Sequence, residues 1–279
     1  MIITKVSDGF GNQLFMYACG YAASKRLNTK LMLDISYLDT SKLRNYELDK
    51  LNISYDKIFS TRSMKIYPLK VLFRKIMHGW IRMRYILYKE KKQYVYDKEF
   101  TKIENNTYLF GYWQTEKYFQ YYRNDLLQLL TPKYSLSDGC KSYIRQVQKC
   151  NSIAVHIRRG DYVKLGICLD SSYYQKAFEH LEQKIRDITY FIFSDDLNYT
   201  KQMFSTDKQR KFEYVKYESN NPTLDDFFIM KECKHIIMAN SSFSWWAAWL
   251  NDSPDKLVVY PKTDLIHTDF YPKEWIMIQ

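Results

Sequence analysis

Residues 153–161 read IAVHIRRGD: an apolar, β-branched run ends in His156, and Arg158, Arg159, Gly160 and Asp161 follow at once. Two guanidinium groups at one strand end offer rigid, permanently charged forks matched to phosphate oxygens. Side chains alternate along a strand, so His156 and Arg158 share a face while Arg159 points elsewhere. One arginine then meets a ligand and the other makes a structural pair. Gly160 permits an abrupt turn, and Asp161 either orients an arginine or takes a proton. A second cluster, Ser194, Asp195 and Asp196, closes the apolar run 188–193. A carboxylate there accepts two hydrogen bonds from the N1–H and 2-amino group of guanine, or simply caps the next helix. A third cluster, NSSFSWW from Asn240 onward, opens a helix at Ser241 or Ser242, and its first backbone N–H groups face an anion. Together the three sketch a site for the pyrophosphate of a guanine nucleotide.

Plainer readings stand beside these. His156 alone fits a satisfied structural histidine, and Trp245, Trp246 and Trp249 have the helical spacing of core residues. The adjacent carboxylates Asp195 and Asp196 supply too few oxygens for a divalent ion, and the arginines already bring countercharge, so no metal site is expected. The N-terminal turn DGFGNQLF (8–15) is a glycine-bearing junction from strand to helix, but it is neither G-x-G-x-x-G nor a Walker A loop. Gly9 and Gly11 permit close approach of a ligand to backbone, with Asn12 and Gln13 adding neutral polar groups.

The elements that must position these residues follow from apolar periodicity. The chain starts as strand (2–6), turn (7–12), helix (about 12–27) and strand (30–35). A strand-like NTYLFGYW (106–113) leads into a helical stretch (114–130), and 131–139 has a linker's composition. Beyond it, β-rich runs at 152–157, 188–194, 212–217, 235–239 and 256–260 alternate with helical patterns. Strands buried on both faces and separated by helices mean a mostly parallel, doubly wound sheet. The expected organisation is two α/β domains, 1–135 and 136–279. In such sheets ligands bind beyond the carboxyl ends of the strands, where all three charged clusters fall.

The 279 residues are 46% hydrophobic and 26% charged, which excludes a disordered chain. Five scattered cysteines lack metal-ligand spacing and fit a reducing compartment. MIITKV enters a strand directly and does not read as a signal peptide, and no run approaches the ~20 apolar residues that span a bilayer. A cytoplasmic protein, or one peripheral to a membrane, is expected. The net charge is +11, and residues 62–92 hold ten Lys or Arg against one Glu, a net +9. On a helical projection Leu69, Leu72, Phe73, Ile76, Trp80, Met83 and Leu87 share one face. Lys70, Arg74, Lys75, Arg82 and Lys89 gather opposite. That segment is either an interfacial helix on anionic lipid or a helix whose apolar face packs on its own domain, with Gly79 weakening its continuity.

GFGNQLFMYACGYAASKRL, GYWQTEKYF, HIRRGDY, FIFSDD and NSSFSWWAAWL occur in the order and approximate spacing of bacterial α-1,2-fucosyltransferases of glycosyltransferase family 11, which the chain resembles from residue 9 to residue 250. One departure is visible: the family usually opens GGLGNQ, whereas here Asp8 takes a glycine's place. The resemblance implies a GT-B-like architecture of two facing Rossmann-type domains, the C-terminal one holding the donor. It implies inverting, metal-independent transfer of L-fucose from GDP-β-L-fucose to the 2-hydroxyl of a terminal galactose, on an oligosaccharide or a lipid-linked glycan, as in surface polysaccharide or O-antigen synthesis. No cofactor is implied beyond that donor substrate. By resemblance Arg158 binds the β-phosphate, His156 and one of Asp195 and Asp196 sit near the guanosine, Ser241 and Ser242 hold the pyrophosphate, and Asn12 approaches from the facing domain beside Gly11. Asp161 and Asp8 are the two candidates for the general base. A basic nucleic-acid-binding protein and a hydrolase of phosphate esters or nucleotides are the competing classes. The first lacks a recognisable module, and the second lacks a nucleophile–base pair.

Overall fold

The structure, a computed structural model, describes residues 1–263 and 269–279. The described chain forms two compact units. One is Met1–Tyr134 with residues 269–272, and the other is residues 135–263 with Lys273–Gln279. Residues 269–272 belong to the first unit through side-chain contacts that no linker composition signals. Phe270 packs on Phe15 and Tyr94, while Asp269 pairs with Lys117 and accepts from the Tyr96 amide.

The first unit runs β1 (Ile2–Lys5), α1 (Phe10–Arg26), β2 (Leu31–Asp34), β3 (Lys57–Phe59), α2 (Tyr67–Arg84), β4 (Ile86–Lys89), β5 (Thr107–Phe110) and α3 (Arg123–Leu129). Its five strands are parallel in the order β3-β2-β1-β5-β4. Helix α1 is buried over most of its length, because Leu14, Phe15, Ala18, Ala22 and their neighbours leave no polar stripe for solvent. The helix expected over 114–130 is shorter: single 3₁₀ turns occupy Glu116–Tyr118 and Gln120–Tyr122, and α3 starts only at Arg123. Thr115 closes the first turn by accepting from the Lys117 amide, and Phe119 leaves helical geometry with φ −142° to bury its ring.

The second unit runs α4 (Asp138–Gln148), β6 (Asn151–Ile157), α5 (Gly160–Leu165), α6 (Ser171–Glu182), β7 (Ile188–Ser194), α7 (Leu197–Met203), β8 (Lys211–Tyr214), α8 (Pro222–Glu232), β9 (His235–Ile237), α9 (Ser242–Leu250), β10 (Val258–Pro261) and β11 (Ile276–Ile278). Six parallel strands lie in the order β11-β10-β9-β6-β7-β8. The tryptophans of α9 are core, as their spacing predicts: Trp245 stacks on Trp249 with centroids 6.1 Å apart, and Trp246 is fully buried.

Both sheets carry a topological switch point, and it decides where a ligand can go. In the second unit the chain winds from β6 through β7 to β8, then restarts at β9 on the other side of β6. In the first it winds from β1 through β2 to β3, and β5 comes to lie on the other side of β1. The carboxyl ends of β6 and β9, and of β1 and β5, therefore flank natural crevices.

Helix α2 forms across Gly79 without a break but settles neither packing question as sequence alone suggests. Ile81 is its one buried residue, with His78, Arg74 and Lys70 turned inward beside it, while Leu69, Leu72, Phe73, Ile76, Trp80 and Met83 stay exposed. Most of the apolar face does not pack on its own domain, although Phe73 reaches Phe59 with ring centroids 6.0 Å apart. Leu87 is not on the helix at all but on β4. The buried Asp34 carboxylate explains the orientation: it takes hydrogen bonds from His78 Nε2 at 2.9 Å, Tyr108 Oη at 2.7 Å and Ser36 Oγ at 2.6 Å. Burial alone would raise its pKa; those three donors outweigh that and hold it below the ordinary carboxylate value.

Candidate active site

At the second unit's switch point, β6 and β9 pair with Val155 opposite Ile237, so the residues after them share one sheet end. Arg158 is clamped there by two carboxylates. Its Nε and Nη2 donate to Asp161 Oδ1 at 3.2 and 2.7 Å, and its Nη1 meets Asp195 Oδ2 at 2.8 Å. The other oxygen of Asp195 accepts the Arg159 amide at 2.8 Å, so this one side chain ties the end of β7 to the end of β6. Gly160 is required by that clamp: a Cβ here would lie 2.6 Å from Asp195 Oδ2. The two arginines differ in their surroundings. Arg159 stacks its guanidinium 3.5 Å above the Tyr199 ring, while Arg158 remains at the crevice over Tyr162.

Asp161 is therefore an orienting partner of Arg158, the first of the two roles open to it in sequence. Asp196 does the plain work of an N-cap, with Oδ1 accepting from the Tyr199 amide at 3.1 Å and its own amide donating to Ser194 Oγ at 3.0 Å. Helix α9 begins at the Ser241 cap, whose hydroxyl accepts from the Phe243 amide at 3.3 Å, leaving Ser242 in the first turn. Asn240 joins this end to α5: its carbonyl accepts from Tyr162 Oη at 3.1 Å, and its Nδ2 donates to Ile167 O at 2.9 Å. Three buried atoms at this end, His156 Nδ1, Arg159 Nε and Asn240 Oδ1, have no hydrogen-bond partner among the described residues. Buried polar groups are rarely left so in a finished site. Burial and the neighbouring Arg158 charge push the His156 pKa down to about 3, so the imidazole is neutral here.

The first unit's switch point collects Asp8, Gly11, Asn12 and residues not singled out for chemistry in sequence: Tyr112, Gln114 and Glu90. Asp8 has φ +66°, the left-handed region that favours glycine, which is a physical reason for glycine at this place in the family. Hydrogen bonds from Ser7 Oγ and Tyr112 Oη, each 2.9 Å to Asp8 Oδ2, offset the strain. Burial first and then Asp8 push the Tyr112 hydroxyl up to about 12, so it stays a donor. The Tyr112 turn is held in turn by Glu90, whose carboxylate accepts the Tyr112 and Trp113 amides at 2.7 and 3.0 Å. Gly111 lies so near it that a Cβ would fall 2.4 Å from Glu90 Cβ. Asn12 Oδ1 accepts from Gln114 Nε2 at 3.1 Å, and Gln114 Oε1 accepts from Gln93. Gln13 is structural, bonding Asp8 O, Asn45 O and the Glu47 amide. Gly11 is buried in the first turn of α1, behind the uncapped Gly9. The signal for Tyr112 and Gln114 was present in GYWQTEK, but only as a shared motif.

The arrangement suits transfer from a phosphorylated donor: a fixed cation, a helix N-terminus and a crevice at a switch point. No three His, Cys, Asp or Glu converge among the described residues. The fold agrees with known transferases: the chain superposes on Arabidopsis thaliana FUT1 solved with GDP (TM-score 0.54, 9% identity, 99% of this chain and 75% of that one). It also superposes on the fucosyltransferase NodZ from Bradyrhizobium (TM-score 0.52, 13% identity, 88% and 92%). Two α/β units with parallel sheets and this likeness make the fold GT-B. In sequence, the chain is 31% identical to the Escherichia coli O-antigen biosynthesis glycosyltransferase WbnK over 92% of each protein. It is 29% identical to an Escherichia coli alpha-1,2-colitosyltransferase over 100% of this chain and 99% of the relative. Glycosyl transferase family 11 matches residues 1–279 in full. A nucleic-acid-binding protein and a hydrolase both give way to that match, and the chain belongs to glycosyl transferase family 11.

Proposed function

We propose that the chain transfers L-fucose from GDP-β-L-fucose to the 2-hydroxyl of a terminal galactose, with inversion and without a metal, on the cytoplasmic side of O-antigen or other surface-polysaccharide synthesis. The observation that carries this reading is the doubly clamped Arg158 at the β6/β9 switch point, beside the start of α9. In the reaction the acceptor oxygen forms its bond to the fucose anomeric carbon as the bond from that carbon to the β-phosphate oxygen breaks. The electron pair leaves with GDP, and Arg158 and the α9 amides stabilise the charge growing there more than they stabilise the ground state. Asp161 and Asp195 hold the guanidinium in place, so no reorganisation accompanies the step. His156 and Asn240 fit the nucleoside through their unpartnered Nδ1 and Oδ1.

Asp8 takes the acceptor proton in this reading. Asp161 is ion-paired with Arg158 through its Oδ1, whereas the two hydrogen bonds to Asp8, both on Oδ2, come from neutral hydroxyls. The metal's usual task of neutralising the leaving pyrophosphate falls to Arg158 and α9, so turnover should persist in excess EDTA.

The relative named for colitose favours a second donor, since colitose is fucose lacking the 3-hydroxyl. Incubation with GDP-fucose or GDP-colitose and a panel of β1,3- and β1,4-galactosides, with and without EDTA, followed by linkage analysis, tests the whole reading. An α-1,2-fucosyl galactoside is expected. Exclusive use of GDP-colitose replaces the donor, and activity restored only by Mg²⁺ or Mn²⁺ removes the metal-free mechanism.

A further inference from the structure

Helix α2 presents the wrong face to solvent for an ordinary surface helix. The inward side carries Lys70, Arg74 and His78 around Ile81; Arg74 donates to Thr40 Oγ1 at 2.7 Å and stacks on Tyr37, and His78 holds Asp34. The outward side carries Leu69, Leu72, Phe73, Ile76, Trp80 and Met83, with Met83 79%, Ile76 58% and Leu72 54% exposed. Projected at 100° per residue, these six fall within roughly a third of the helix circumference, an unbroken apolar stripe. A contiguous exposed stripe of that kind marks an interaction surface.

The charges around the stripe say what covers it. Helix α2 contains no Asp or Glu, and its margins carry Lys75 and Arg82 on one side and Arg84 on the other, all exposed. Lys65 precedes it, and Lys89 and Lys92 follow, also exposed. The one acid in this stretch, Glu90, is turned away into the Tyr112 and Trp113 amides. Arg84 lies over the Trp80 ring, a pairing suited to the headgroup level, where long basic side chains lay their stems on apolar surface and lift their charges to the phosphates. No helix among the described residues is long and apolar enough to cross a membrane, so the contact is one of lying on the surface.

We infer that α2 is an interfacial helix that docks the first unit on an anionic lipid bilayer, its stripe among the acyl chains and its basic margins on the phosphates. Arg74, grouped with the exposed cations in sequence, is not part of this surface, because Tyr37 and Thr40 occupy it. A second copy of the chain is the other possible occupant, but the uncompensated positive margins would face each other across such a dimer.

Vesicle co-sedimentation with the full chain tests this independently of any transfer assay. The protein should sediment with phosphatidylcholine vesicles containing phosphatidylglycerol, remain in solution with pure phosphatidylcholine, and lose at least ~10-fold in binding between low and high salt. Ile76→Glu with Met83→Glu should lower binding ~10-fold or more, and so should Lys75, Arg82, Arg84 and Lys89 changed together to Gln. Neither set should alter the melting temperature by more than about 2 °C, since both sets are exposed. Equal binding to neutral vesicles, or none to anionic ones, overturns the inference. So does self-association of the free protein that Ile76→Glu abolishes.

Discussion

The two switch points solve opposite electrostatic problems on the same sheet plan. At the end of β6 a cation is held by anions: Arg158 sits between Asp161 and Asp195. At the end of β1 an anion takes its hydrogen bonds from neutral groups: Asp8 accepts from the hydroxyls of Ser7 and Tyr112, with the half-buried Lys5 close enough to feel its charge. A permanently charged, rigidly placed cation suits a leaving group whose charge appears during the reaction. A carboxylate steadied by hydroxyls keeps an acceptor site for a proton. In the proposed function departure falls to the first end and attack to the second, and that reading can be broken at either.

The largest expected effect is at Asp8. Asp8→Asn keeps the shape and the hydroxyl partners but cannot take a proton, so kcat should fall about 100- to 10,000-fold while GDP binding is unchanged. Asp161→Asn should instead act through Arg158, raising the donor KM along with a smaller loss in kcat. Steady-state kinetics with the donor varied separates the two patterns. If Asp8→Asn turns over normally, the attacking end has been misassigned; if both Asn variants do, the leaving phosphate takes the proton.

Next is Arg158→Lys, which preserves charge but abandons the fork held by two carboxylates. The loss of one preorganised donor to a developing oxyanion predicts a fall in kcat of roughly 100-fold or more. Near-wild-type turnover at saturating donor would remove Arg158 from the mechanism.

The same end predicts a pH effect on stability. His156 is neutral in the fold with its pKa pushed down to about 3, against an ordinary value of 6.5. Its unfolded form binds a proton below 6.5 and its folded form does not until about 3. Stability is therefore complete above 6.5 and declines as pH falls through that window, by about 1.4 kcal/mol per pH unit at most. Burial also lowers the pKa of His180 and His235, so the difference between wild type and His156→Asn is the measurement to make. Urea denaturation at pH 7, 6 and 5 should give a shallower decline in the variant. Parallel declines would mean that His156 is charged in the fold, and the neutral nucleoside contact would go with it.

What the sequence discloses differs between the two ends for a physical reason. The β6, β7 and β9 strands are legible because parallel strands buried on both faces must be continuous apolar runs, and Ser241 because an N-cap is a local hydrogen bond. The clamp on Arg158 was half legible. Asp161 is three residues away, whereas Asp195 arrives from the next strand and reveals itself only through the pairing of Ile157 with Ser194. The attacking end was least legible. Tyr112 reaches Asp8 across 104 positions, and the strained φ of Asp8 leaves no mark in composition. Helix α2 shows a further limit: periodicity says that it has an apolar face but not which way that face turns. The buried Asp34, which needed His78, decided that.

The smallest expected effect is the one that tests how the attacking end is built. Tyr112→Phe removes one hydroxyl from Asp8 and nothing from the turn, since Glu90 still holds the 112 and 113 amides. A hydrogen bond to a charged group contributes about 1.5 to 3 kcal/mol when it orders that group, and the Ser7 hydroxyl retains part of the constraint. The expected result is a fall in kcat of roughly tenfold with unchanged donor KM and an unchanged melting temperature. Gly111→Ala is the contrasting change. Its Cβ would run into Glu90, displace the carboxylate that anchors the turn, and cost stability as well as rate. If Tyr112→Phe instead matches Asp8→Asn in severity, the phenol itself touches the acceptor, and the base at this end is a Tyr–Asp pair acting together. If it leaves kcat untouched, Ser7 alone suffices to hold Asp8, and the 104-residue contact is a feature of folding rather than of catalysis.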